Sequence, residues 1–161
     1  YKAYFNDSDW IRTQLAPGGM LSQHPQKSVV DKAIADLTAA GRYTNDRVVS
    51  SVTFGFWTYL FTKKPFRLGG QSLLRIFPAK ANGLGQRAIY NELMAVKNFR
   101  NRIAHHEPIC FDSTGGKNIC LAKDLYDLIV RYVNFLGYPE HHLYFGLDVL
   151  PDSVLERIDR L

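Results

Sequence analysis

Cysteine is scarce in this chain. Cys110 and Cys120 are the only two among 161 residues, too few for a disulfide framework, so a reducing cytoplasm is the expected setting. Long apolar runs are also missing. The most apolar stretch, "VTFGFWTYLF" (residues 52–61), falls well short of the roughly 20 residues that span a bilayer. Its small and polar members suit a buried helix, so no membrane association is expected. No signal peptide is seen. Internal repeats, low-complexity segments and a convincing hairpin are absent as well. Acidic residues are outnumbered, 15 against 20 Lys and Arg, which leaves a net charge of +5 and a pI near 9.3. That surplus fits an anionic partner, nucleic acid first.

What remains is an ordinary globular composition, 46% hydrophobic and 22% charged, expected to form a single domain over residues 1–161. Helix signals dominate. "SVVDKAIADLTAAG" puts Val30, Ala33, Ile34 and Leu37 on one face, with Gly41 as the residue past the end. Thr44 or Asn45 can cap the next helix, with Asp46 in its first turn, and that helix is expected to run to about Phe61. A short apolar helix is expected from about Gln71 to Phe77, before Pro78. "QRAIYNELMAVKNFRNRIAHHEP" reads as the longest helix, ended by Pro108. After the turn-rich "FDSTGGKN", "LAKDLYDLIVRYVNFLG" is another helix, with Leu121, Leu125, Leu128 and Tyr132 on one stripe and Gly137 beyond it. A last helix is expected from about Asp152 to Arg160, and residues 1–10 read as the tail of a further one. The expected class is all-α.

The longest helix carries the anomaly. At about 100° per residue, Ile89, Leu93, Val96, Phe99 and Ile103 share an arc that must face the core. Arg100 falls in the middle of it. A guanidinium keeps its charge, so Arg100 must meet an anion there, or the arc must open onto a cleft. Glu92, two turns earlier on the same arc, is the nearest structural partner. Asn101 and His105 are neighbours at a spacing of four, as are Arg102 and His106. Spacing alone does not choose between the two histidines. Arginine holds phosphate in a bidentate way and histidine moves protons near neutrality. Together they could cleave RNA without metal: the 2′-hydroxyl attacks its own phosphorus, giving a 2′,3′-cyclic phosphate and a 5′-hydroxyl. The plain alternative is a basic helix end favoured by the macrodipole.

Other constellations are weaker. His105, His106, Glu107, Cys110 and Cys120 match no standard zinc spacing, and no metal site is expected. Cys110 beside a histidine is a poor case for a thiol nucleophile. His24 and the pair His141-His142 read as loop residues. "FGFWTYLF" is aromatic enough for base stacking, but at helical spacing it reads as core, with Trp57 kept as a neighbour of the site. Lys63, Lys64 and Arg67 form a basic cluster that could contact phosphates or be a solvated turn.

The run Arg100-Asn101-Arg102-Ile103-Ala104-His105 resembles the motif of the HEPN superfamily: arginine, a polar residue, three variable residues, then histidine. "DRVVSSVTFGFWTYLF", "LLRIFP" and "FRNRIAHHEPI" in order look like the Abi-like proteins, associated with abortive infection against phage. The similarity covers Trp10 to about Ile109, and more weakly the next helix. It implies a HEPN-type helical bundle, a homodimer, and a composite site made of two motifs facing each other. It further implies a metal-independent endoribonuclease of a phage-defence or toxin system, with an antitoxin or regulatory protein as a further partner and no cofactor. Arg100 and His105 become the catalytic pair and Asn101 an orienting residue. Arg102, His106, Glu92 and Trp57 become RNA-binding or supporting residues. Some HEPN domains only bind. Abi-like proteins usually begin with a further helix, so the N-terminal helix is expected to be truncated here.

Overall fold

Where the backbone can stop a helix decides most of this architecture. The computed structural model describes residues 1–111, 114–139 and 141, and among them the chain is mostly helical. The one β feature described is an isolated antiparallel bridge between Phe111 and Lys117. The all-α class is therefore correct for the described residues. Two compact units form: Tyr1–Ile76 with Gly85–Tyr90, and Phe77–Leu84 with the chain from Asn91 onward. No helix among the described residues is long and apolar enough to cross a membrane.

The first unit holds α1 (Lys2–Phe5), α2 (Trp10–Leu15), α3 (Lys27–Ala39), α4 (Asn45–Ser51), α5 (Phe54–Tyr59), α6 (Lys63–Leu68), a 3-10 turn (Ser72–Ile76) and the start of α7 (Gln86–Ala104). Its core gathers Trp10, Ile11, Leu21, Val30, Val48, Phe56, Leu60 and Ile89, all buried. Each large apolar side chain removed from water contributes about 1.5–3 kcal/mol. On α3, Val30 is buried and Ala33, Ile34 and Leu37 are half-buried, so the face read from periodicity points inward. Gly41 sits past its end at φ +63°, with Arg42 N–H bonding to Leu37 C=O and Gly41 N–H to Thr38 C=O. This is a Schellman closure, and glycine adopts the left-handed region without a Cβ penalty. Thr44 caps α4 by accepting a bond from Arg47 N–H at 3.2 Å.

Three expectations need correction here. The helix expected from Thr44 to about Phe61 is broken at Val52 and Thr53, both extended. Ser50 and Ser51 hydroxyls donate back to Arg47 C=O, and Thr53 donates to Gln26 at 2.8 Å. Side-chain bonding of this kind competes with the helical ladder, and two β-branched residues add to the break. The segment around residues 71–77 is a 3-10 turn instead of an α-helix. Residues 1–10 do not form a continuous helix tail: α1 ends at Asn6 in the left-handed conformation and α2 begins afresh at Trp10.

His24 is a loop residue as read from the sequence, and its burial is what the sequence did not announce. It lies in a loop but is 4% exposed, between Phe56 and Tyr59 at ring separations of 4.7 and 4.3 Å. Nδ1 accepts from Gln26 N–H at 2.9 Å, and Nε2 faces Phe56 C=O at 3.4 Å. That pairing requires a neutral ring protonated on Nε2. Burial lowers its pKa from the ordinary value near 6.5, opposed in part by the bond to Phe56.

The second unit holds the longer part of α7 and all of α8 (Cys120–Phe135). Phe77, Ile119, Ala122, Leu125 and Tyr132 are buried. Phe77 meets Tyr132 edge-on at 5.3 Å, and Tyr132 meets Phe135 at 5.5 Å. The expected stripe of α8 holds at Leu125 and Tyr132, both buried, and at half-buried Leu128, and departs only in the first turn. Ala122 is inside, whereas Leu121 is 45% exposed. The helix spends its first-turn inward position on a small residue, which leaves the leucine outside. Gly137 (φ +84°) closes α8 as expected, with Tyr138 N–H bonding to Val133 C=O. The helix expected near residues 152–160 lies outside the described residues.

Candidate active site

Helix α7 is held along most of its length and released at its end. Ile89 is fully buried, and Leu93, Val96 and Phe99 are half-buried. Ile103 is 49% exposed. The apolar arc thus emerges into solvent toward its C-terminus, and Arg100 emerges with it. Arg100 is exposed, so the core-facing charge expected from the wheel does not arise within this chain.

Glu92 does not pair with Arg100. One carboxylate oxygen accepts from Arg131 at 2.7 Å, and the other from the Tyr132 hydroxyl at 2.6 Å. Both partners come from α8, so Glu92 ties the two helices together. Burial, then the hydrogen bond to Glu92, push the Tyr132 phenol well above its usual pKa of 10. It remains a donor at any physiological pH. The expected pairing of Arg100 with Glu92 is thereby corrected: both carboxylate oxygens are already occupied by α8.

The end of α7 is a second Schellman closure. Glu107 N–H bonds to Arg102 C=O at 2.9 Å and His106 N–H to Ile103 C=O at 3.0 Å, with His106 itself at φ +56°. Only a few non-glycine residues occupy this left-handed region. The Arg102 side chain reinforces the closure. Its guanidinium donates to Pro108 C=O at 2.6 Å and pairs with Glu107 at 3.4 Å. Arg102 and His106 therefore build the helix end, the role the sequence reading left undivided between RNA contact and support. Helical geometry stops at Ala104, ahead of Pro108, and the cap is what stops it.

Arg100, Asn101 and His105 are left over by this scaffold. Arg100 makes a long 3.4 Å contact with Asn101 Oδ1. The Asn101 carbonyl accepts from His105 N–H at 2.9 Å. The His105 ring is exposed and has no hydrogen-bond partner among the described residues. The structure thus places a guanidinium and an amide on the last turns of α7 and an imidazole just past its end, with an anion-binding and a proton-transfer group both open to solvent. Trp57 belongs to α5 in the first unit, half-buried and edge-on to Phe56 at 5.1 Å. It packs against that core through Phe56. Cys110 is half-buried and Cys120 exposed, both as free thiols. Among the described residues no three His, Cys, Asp or Glu side chains gather into a possible metal-binding group.

Sequence reasoning missed the partners that hold α7 upstream and close its end. Arg131 and Tyr132 lie 39 and 40 positions from Glu92, beyond any helical-spacing argument. A signal for Tyr132 was present in its inward position on α8. Glu107 gave none, since it pairs with Arg102 only after the chain has turned. Comparison with family models, with curated proteins and with solved structures finds no match for this chain.

Proposed function

We propose that this protein is an Abi-like HEPN endoribonuclease, a cytoplasmic homodimer of a phage-defence or toxin system that cleaves RNA without metal. The observation that carries the reading is the division of labour at the end of α7. Arg102, His106 and Glu107 are committed to the helix end, while Arg100 and His105 stay exposed beside them, with half-buried Asn101 contacting Arg100 at 3.4 Å. In this reading Arg100 holds the phosphate oxygens and stabilises charge developing on them. His105 takes the 2′-hydroxyl proton or returns one to the 5′-oxygen leaving group. Asn101 orients the phosphate or the imidazole. The emergent apolar arc, ending at Ile103, supports a second copy packing beside the motif, so that two motifs would complete one site. A neutralising or regulatory protein is a further proposed partner.

A binding-only reading has one observation in its favour. A general base is normally oriented by a third group, and His105 has no such partner among the described residues. The composite site answers this only if the partner copy supplies the orienting group. Purified protein incubated with an RNA pool in excess EDTA decides between the two. Cleavage that leaves cyclic phosphate ends and disappears in His105→Ala and Arg100→Ala supports the nuclease. RNA that is bound but never cut supports the binding module. RNA that is neither bound nor cut refutes both.

A further inference from the structure

A cleft of about 680 Å3 opens between α6, the 3-10 turn and the start of α7, entirely within the first unit. Phe66 and Leu74 supply its apolar part, and Gln71 an amide. Lys63, Arg67 and Arg87 also line it, and no carboxylate does. The three cations are exposed and make no ion pair or hydrogen bond through their side chains with any described residue. Lys63 and Arg67 sit four apart on α6, hence on one face. Arg87 stands in the first turn of α7, where no acidic residue is present. A cation there is opposed by the positive end of the helix dipole. Three unneutralised charges converge on one cavity, and one of them holds a position that helix electrostatics disfavours. A stability-driven sequence would not make that choice, and such local conflicts concentrate where something binds.

We propose that this cleft is an anion site that takes successive phosphates of one ligand. Two guanidiniums can each hold a phosphate in a bidentate manner, and the lysine adds a third charge. The volume suits a ligand of nucleotide size. The same chemistry is offered by a free polyphosphate and by the backbone of a single RNA strand. The site is independent of the cleavage reading, because it uses none of the residues at the end of α7.

The test uses the full chain and two probes, tripolyphosphate and a short fluorescent oligouridylate, with binding read by calorimetry and anisotropy. Arg67→Gln/Arg87→Gln is compared with Lys64→Gln, an exposed lysine of α6 that does not line the cleft. The double variant is expected to weaken binding by about tenfold or more, as loss of two charge-assisted contacts should. Lys64→Gln is expected to leave it nearly unchanged. If tripolyphosphate competes fully with the oligouridylate, the ligand is a free polyphosphate. If only the oligouridylate binds tightly, and its salt slope falls by about 0.7 per lost contact, the ligand is a strand. Arg87→Gln removes a charge that the helix dipole opposes, whereas Arg67 stands in the favourable last turn of α6, so a thermal melt of the double variant is recorded beside the binding and a matched Tm separates lost binding from lost folding. Absence of binding by both probes overturns the proposal. Equal losses in Lys64→Gln and the double variant do so too, since they would mean diffuse charge alone.

Discussion

His105 and His106 are adjacent, yet they should respond to mutation in opposite ways. His106 sits at φ +56° in the position that glycine fills at the ends of α3 and α8. An L-residue in that region costs about 1–2 kcal/mol. Replacing it with glycine removes the cost but frees the unfolded chain, an offset of about 0.4–1 kcal/mol. His106→Gly should therefore stabilise the protein by about 0.5–1 kcal/mol, raising Tm by about 1–4 °C for a chain of this size. His106→Val is the opposing control, because a β-branched residue at positive φ is strongly disfavoured and should lower Tm. Thermal unfolding followed by circular dichroism reads both. The same variants separate backbone from chemistry. Under the proposed nuclease reading, His106→Gly should retain RNA cleavage, whereas His105→Ala should lose about 10²–10⁴-fold, the usual worth of a general acid or base. A His106→Gly protein less stable than wild type would refute the cap assignment. One that cleaves as poorly as His105→Ala would refute the division of roles between the histidines.

Buried His24 predicts an acid-sensitive first unit. Its folded pKa is lowered, so its contribution is complete above about pH 6.5 and is lost as pH falls through 6.5 toward the folded value, with a limiting slope of about 1.4 kcal/mol per pH unit. Urea unfolding across that range should show the slope in wild type and not in His24→Gln; identical profiles would exclude it. Tyr132→Phe leaves one Glu92 oxygen without its donor and should cost about 1–2 kcal/mol, whereas Arg131→Gln, which loses a half-exposed pair, should cost less than about 1 kcal/mol. A reversed order in chemical denaturation would contradict the assignment of the anchor to Tyr132. Gly70→Ala should destabilise by about 1–3 kcal/mol, since a Cβ there meets the Tyr4 ring and φ is +61°. Thermal melts of that variant should fall below those of Gly83→Ala, where φ is also positive but the space is open.

The features legible in the sequence were those written in local chemistry. Gly41, Thr44 and Gly137 end or begin helices where their backbone freedom or hydroxyl requires it. The features that escaped depend on atoms far apart in the chain or on side chains overruling propensity. Nothing in "SSVT" announces that two hydroxyls and a threonine bond will interrupt a helix. His24 looked like a loop residue because Pro25 follows it, but the loop folds over Phe56 and Tyr59. The wheel placed Arg100 on the apolar arc of α7, and the arc is indeed apolar. It could not show that burial fades from Ile89 to Ile103 along the arc, because periodicity gives the face of a helix and not how far its neighbour extends.

That fading burial and the rigid cap bear on each other. The last turn of a helix ordinarily frays, and side chains on it would lose their relative positions. Here the final carbonyls of Ile103 and Arg102 are satisfied by His106 and Glu107 N–H groups, and the Arg102 side chain fastens the following segment. Upstream, Glu92 is fixed by two donors from α8. The backbone carrying Arg100, Asn101 and His105 is thus restrained on both sides without any of the three being used to restrain it. Positioning groups in advance lowers the entropy lost when they close on a ligand. Stability alone would be served as well by pairing those side chains. A left-handed histidine and an exposed arginine without an ion pair among the described residues are therefore better understood as parts of one arrangement, in which the cap holds the turn still and leaves those side chains free for a ligand.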